Sequence, residues 1–385
     1  MPKIIVLQRA NLSEDQWHSV LISLLRGLAA LQVAAAHLRA QVYPGFGTVQ
    51  DPSLAFQGLA FATGFAYLAV IVFFVLSGWL VGGSLLNRLD TDRAIANYAI
   101  DRVTRLWIVL IPTFGVVLLF GMTTDTLDPA RPSFALDNAY SASAFVGNLV
   151  GLQNIVVPEF GGNFPLWSLS NETWYYVLFP LLVMLVRTRS TAYRVLMLLA
   201  VAAIVHVLNE AILLYFSIWL LGVAFSRVRI ECGPFVRWAL FLGLVAAAVV
   251  IRLKGKSHIA VDSFVQYLLF SLVFVLFLSS MQFQRARGRL TDWLHRTGRF
   301  FSEFSFTLYV LHIPFMLALL QLAAPVLGGG KLDPNQPAHM LVYLVLYVVL
   351  VAGAYLFHLP FEANTYRVRE WVKTVLYARG RPVRA

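Results

Sequence analysis

The stretch Leu24–His37, LLRGLAALQVAAAH, sets an arginine and a histidine into an otherwise apolar run. Nothing in it breaks a helix, and Arg26 and His37 stand eleven residues apart. At 3.6 residues per turn that is close to a whole number of turns, so both side chains share one face, ~16 Å apart along the axis. Gly27, Ala30 and Ala34 lie on or beside that face and permit close approach of a second helix or a ligand. Two ionisable side chains inside an apolar helix are costly in a bilayer, and their default reading is a functional site.

The rest of the chain supplies the bilayer. Of 385 residues, 59% are hydrophobic and 13% charged, and the mean hydropathy is +0.73. A soluble domain is nearer half apolar and a quarter charged. The composition predicts an all-α polytopic membrane protein. Ten runs approach the roughly 20 apolar residues that ~30 Å of hydrocarbon requires: 20–42, 66–86, 106–122, 166–186, 194–209, 211–226, 236–252, 263–281, 302–325 and 338–358. The fifth and sixth are short and meet at Asn209-Glu210, as a tight hairpin or a re-entrant pair would. The N-terminus lacks the pattern of a cleaved signal peptide. Cys232 stands alone, which excludes an internal disulfide and a multi-thiolate metal site.

Basic residues give the direction. With the N-terminus cytoplasmic, the inside segments 1–19, 87–105, 187–194, 226–237, 282–301 and 359–385 hold 23 of the 30 Lys and Arg, against six outside. This bias predicts both termini in the cytoplasm. It also explains the net charge of +11 without nucleic acid as a partner. The expected organisation is an N-terminal segment 1–19, a transmembrane domain 20–358 with an outside loop 123–165, and a basic tail 359–385 lying along anionic headgroups. The loop is long enough to be functional, and its Asn148–Val157 part is apolar enough to fold back over the membrane face.

Four constellations could carry chemistry. The first is Arg26 with His37, a histidine being suited to general base work near neutral pH. The second is Arg102 with Arg105 at the cytoplasmic mouth of the third run, placed to grip phosphates or simply to obey the positive-inside bias. Asp101 beside them is suited to a local ion pair. The third is PLWSLSNETWYYVLFP, residues 165–180, where Ser170 or Asn171 suits a helix cap, Tyr175 an interfacial belt, and Glu172 a histidine or a sugar hydroxyl. The fourth is FSFTLYVLHIP, residues 304–314, where Tyr309 and His312 share a helix face and His312 is a rival catalytic histidine. His18 falls beside a loop, and His358 reads as structural. Gly78, Gly82 and Gly83 in the second run imply close helix contact. No phosphate-cradling glycine loop, nucleophile elbow or HExxH occurs, and the histidines have no ligand-like spacing, so no metal is expected.

In their order, LLRGLAALQVAAAH, FFVLSGWLVGG, RVTR at 102–105, LWSLSNETWYYVLFP and FTLYVLHIPF resemble the bacterial acyltransferase-3 membrane family, over about residues 20–360. The resemblance implies a stand-alone enzyme of a bacterial inner membrane, without a fused SGNH domain. It would need no cofactor and would move an acyl group, most often acetyl, from acyl-CoA to a hydroxyl of a surface carbohydrate or lipid-linked glycan. It makes His37 the catalytic histidine, Arg26 its companion, Arg102 and Arg105 the donor motif, and Glu172 a catalytic or acceptor-side carboxylate. Ser170, Asn171, Tyr175, Tyr309 and His312 are expected, with Arg26, Arg102 and Arg105, to bind the donor or the other substrate. The chain departs from the family pattern at Ser23, Asn171 and Thr173. A transporter using the same Arg26 and His37 is the alternative from another class.

Overall fold

The computed structural model describes residues 2–123, 135–285, 288–328 and 330–378. Each of the ten apolar runs is a helix, with bounds that differ from the expected ones by a few residues, the third excepted. They are α1 (Trp17–Val42), α3 (Ala66–Ser77, carried on by a π-turn Gly78–Gly82 and α4, Gly83–Arg88), α5 (Ala94–Thr123), α7 (Leu166–Arg187), α8 (Thr191–Val207), α9 (Glu210–Phe225), α10 (Pro234–Lys254), α11 (Phe264–Ser280), α13 (Ser305–Leu327) and α14 (Pro337–His358). The third run extends twelve residues farther back, because its polar first turns continue the same helix. Eight of the ten are long and apolar enough to cross a membrane. The short ones, α8 and α9, have 17 and 16 residues. Smaller helices are α2 (Leu54–Ala62), α6 (Ala142–Leu149), α12 (Arg289–Glu303) and α15 (Thr365–Ala378). Two four-residue strands, β1 (Lys3–Val6) and β2 (Val228–Glu231), pair antiparallel with Lys3 opposite Glu231.

The chain forms two compact units, residues 1–86 with 208–353, and residues 87–207 with 354–385. In the first, α1 is the hub, packed on α3, α11, α12 and α13. Its crossing with α12 is tight because both sides present glycine. A Cβ on Gly27 would lie 2.5 Å from that of Phe301, and one on Gly298 3.0 Å from the Leu24 nitrogen. From α14, Tyr343 and Tyr347 donate to the carbonyls of Ala35 and Leu31 at 3.1 and 3.0 Å. The second close crossing joins α3 and its π-turn to α9. A Cβ on Gly78 would sit 1.9 Å from the Trp219 carbonyl oxygen, and one on Gly222 2.1 Å from that of Val75. The expected glycine contact is therefore real, and its partner is α9.

The N-terminal segment is ordered against this unit. Leu7 donates to the Arg227 carbonyl, and Trp17 and His18 donate to those of Phe283 and Met281. His18, expected beside a loop, is fully buried at the start of α1, with its Nε2 3.0 Å from the Asn11 carbonyl. The segment covers it by folding back.

In the second unit, α6, α7 and α15 pack on α5, and α8 on α7. Within the described part of the 123–165 segment, residues 149 and 151 are held against α5 and α7. Trp107 of α5 donates to the Leu149 carbonyl at 2.9 Å, and Trp174 and Ser170 of α7 share the Gly151 carbonyl at 2.8 and 2.6 Å. The acidic residues Asp125 and Asp128 lie outside the described residues, as do Arg379, Arg381 and Arg384 of the tail. What is described of the tail is a helix whose Arg369 and Lys373 turn inward onto Asp101. A buried carboxylate holds these two cations.

Candidate active site

His37 and His312 meet. Helices α1 and α13 bring the His37 Nδ1 to 2.8 Å from the His312 Nε2, with ring centroids 5.1 Å apart and ring planes within 14° of parallel. A sequence separation of 275 hides this contact from any local reading. His312 is fully buried, and its Nδ1 is 2.7 Å from the Tyr309 carbonyl and 3.2 Å from that of Leu308, one turn back in its own helix. A carbonyl only accepts, so Nδ1 of His312 carries the hydrogen and Nε2 carries the lone pair. That lone pair accepts from the His37 Nδ1–H. The His37 tautomer is thereby assigned, with the lone pair on Nε2, the atom that can take a proton. The Tyr309 ring stands 6.0 Å from that of His312 and meets Phe73 edge-on at 5.7 Å. Arg26 lies on α1 at the level where Gly27 meets α12, ~16 Å along the axis from His37.

The second unit gathers the arginine pair and the Glu172 segment. The Arg102 guanidinium lies 5.9 Å from the Tyr98 ring centroid and 5.7 Å from that of Tyr176, within reach of both π faces. The Tyr176 hydroxyl donates to Glu172 at 2.5 Å. Tyr176 alone therefore stands between Glu172 and Arg102, whereas the charge map had set the two at opposite sides of the membrane. The reason is the length of α5: its polar first turns place Arg102 more than two turns into the helix, level with the middle of α7. Arg105 pairs with Glu362 at 3.2 Å, and His358 stands 3.5 Å from the same carboxylate. Asp101 pairs with Arg88, Arg369 and Lys373.

Ser170 and Asn171 were suited to capping, but α7 begins at Leu166 with Pro165 before it, so both fall in its second turn. Ser170, Asn171 and Tyr175 are all buried. The hydroxyl of Ser170 anchors the 123–165 segment through Gly151. Tyr98, Glu362, Arg369 and Lys373 were not singled out as site residues. Tyr98–Arg102, Glu172–Tyr176 and His358–Glu362 are all spaced four apart on or beside helices, and that spacing is the local signal that finds them. Among the described residues no three His, Cys, Asp or Glu side chains converge as a metal cluster would require.

Residues 20–359 match the family model described as an acyltransferase domain, which spans both units. No curated protein and no solved structure gives a significant match. The match favours group transfer over the transporter reading of the same intramembrane Arg and His. With apolar helices throughout and this domain over most of its length, the chain belongs to the acyltransferase-3 family and is a membrane acyltransferase.

Proposed function

We propose that the protein uses acyl-CoA, acetyl-CoA in the first instance, to acylate a hydroxyl of an extracytoplasmic or lipid-linked carbohydrate in a bacterial inner membrane. The observation that carries the reading is the histidine pair, anchored at one end on the Tyr309 carbonyl and presenting Nε2 of His37 at the other. His37 takes the proton of the acceptor hydroxyl as its oxygen attacks the thioester carbonyl. A C–O bond forms, the C–S bond breaks, and the imidazolium returns the proton to the departing thiolate. His312 acts through His37. It accepts the Nδ1–H and stabilises the charge that develops on the ring, the part a carboxylate plays in a serine hydrolase triad. A variant route, in which His37 Nε2 itself carries the acyl group, uses the same tautomer.

In this reading Arg102 and Arg105 hold donor phosphates, which suits the planar donor fork of a guanidinium. Arg26, toward the inner end of α1, is the companion of His37 on that helix. Glu172 and its neighbours on α7 serve the acceptor or order the donor site. The test is acyl transfer by purified His37→Ala protein in vesicles, assayed with acetyl-CoA against a panel of sugars. Loss of turnover in protein that remains folded and inserted is the expected result. Turnover at the wild-type rate would remove His37 from the chemistry.

A further inference from the structure

Asp101 is 6% exposed and is the carboxylate for three cations: Arg88 at 3.5 Å, Arg369 at 3.2 Å and Lys373 at 3.0 Å. Glu362, 5% exposed, serves Arg105 at 3.2 Å. Arg102 adds a further guanidinium, with a buried Nε that has no hydrogen-bond partner. Arg369 also feels the like charge of both Arg102 and Arg105. Four cations thus pair with two buried carboxylates, the largely exposed Arg88 among them, and Arg102 follows Asp101 directly in α5. Lys373 also reaches the half-exposed Glu370 at 3.4 Å. Unmatched buried charge is expensive, and an excess of guanidinium and ammonium groups in one place is the arrangement that binds phosphate.

Two of the four come from α15, where Arg369 and Lys373 stand four apart and so share one face. The helix is held down without them. Tyr377 donates to the Asn97 side chain at 2.8 Å, and Arg93 lies 4.3 Å from the Tyr377 ring centroid. At its other end Thr365 is buried against the Glu362 carbonyl. Tyr377 and Arg93 thus hold α15 on α5 independently of the two inward cations.

We propose that α15 forms part of the donor site: Arg369 and Lys373, together with Arg102 and Arg105, bind the phosphates of the coenzyme A moiety. Asp101 holds Arg369 and Lys373 in position and is the partner that the phosphates displace. This rests on acyl-CoA being the donor. It adds to the arginine pair a pair of cations from the C-terminal segment, and it makes that segment a functional element of the enzyme.

The experiment compares two donors with the same thioester, acetyl-CoA and acetyl-pantetheine, the second lacking phosphates, using full-length protein in phosphatidylcholine vesicles. Arg369→Gln and Lys373→Gln are each expected to raise KM for acetyl-CoA on the order of tenfold, the worth of one charged hydrogen bond. They should leave kcat, and KM for acetyl-pantetheine, unchanged. Arg367→Gln, an exposed neighbour, should change neither, and the unfolding temperatures of all three should match the wild type. An equal effect on both donors would make α15 merely structural, and an effect on neither would remove the assignment. An effect that appears only when anionic lipid is added would transfer the cations to headgroup binding and overturn the proposal. Wild-type protein that turns over neither donor fails at the donor reading itself, and that outcome is distinguishable from all of these.

Discussion

Removing the His312 ring separates the two things a buried histidine can do in this fold. If it only packs α1 against α13, His312→Ala costs stability and little else. If it sets the tautomer of His37, the loss is catalytic. His312→Ala takes away the acceptor 2.8 Å from His37 Nδ1. The Nδ1–H then has no fixed acceptor there, and the ring is free to move its proton to Nε2, the atom that must be bare to accept one. General base catalysis contributes about 10²–10⁴-fold, and a wrong tautomer in a hydrolase triad costs ~10⁴-fold. A kcat lowered about 10²–10³-fold is therefore expected. The unmet donor also costs about 1–3 kcal/mol of stability, so the assay pairs steady-state transfer with thermal unfolding in detergent. His312→Gln restores an amide oxygen toward His37 Nδ1 and should recover part of the rate. Because the two histidines act as one unit, His37→Ala/His312→Ala should be no slower than His37→Ala alone. A His312→Ala enzyme within about threefold of wild type, stable or not, refutes the tautomer argument.

Three further outcomes follow from the packing and the ion pairs. Gly78→Ala should lower stability by about 3 kcal/mol, the upper end for overpacking, because the added Cβ meets a backbone carbonyl at 1.9 Å and no side chain can turn aside; thermal unfolding reads it. Glu362→Gln leaves Arg105 without its buried carboxylate and should cost about 2–3 kcal/mol, somewhat under a fully buried pair, since the Arg105 side chain is 29% exposed. Arg102→Gln should raise KM for acetyl-CoA about tenfold or more while leaving the unfolding temperature unchanged, because its ring contacts with Tyr98 and Tyr176 are long.

The apolar helices were legible because each buries or exposes enough hydrocarbon to announce itself in composition alone. What composition does not record is pairing at a distance. β1 and β2 are four residues each, with no turn between them to mark a hairpin, so Lys3–Val6 read only as part of the N-terminal segment 1–19. α12 is amphipathic and polar on average, and its Arg289, Arg296 and Arg299 were counted only as positive-inside charge. Its Leu290, Trp293 and Phe300 follow a helical period and remain exposed, while Gly298 and Phe301 pack on α1. In the candidate site, Arg26 and His37 were visible as charges out of place. Their partners were not, because His312 reaches His37 only when α13 is laid against α1, and Arg369 reaches Asp101 only when α15 is laid along α5. The Glu172 and Arg102 segments read as two sites because spacing within a segment says nothing about depth between segments.

Depth bears on how many times the chain crosses. By length eight helices qualify, and α8 and α9 fall short at ~24–26 Å. Yet α9 joins opposite ends of the first unit. Near its start Tyr215 donates to the Ala260 carbonyl at 3.1 Å, beside the end of α10 where Arg252 donates to the Ala60 carbonyl at 2.9 Å. Past its other end lies β2, paired with β1. A helix of 16 residues can do this because Ile212, Tyr215, Phe216, Ile218, Trp219 and Val223 are buried among other helices, so its ends need not reach the headgroups. If α9 crosses, α8 must cross too, since β1 and β2 lie on one side and the number of crossings between them is even. Ten crossings then place residue 210 on the face opposite Cys232. In a Cys232→Ser background, Glu210→Cys should react with a membrane-impermeant thiol reagent from outside intact cells, whereas the natural Cys232 should react only in inverted vesicles. Labelling of both from the same face would reduce the count to eight and return α8 and α9 to a re-entrant pair.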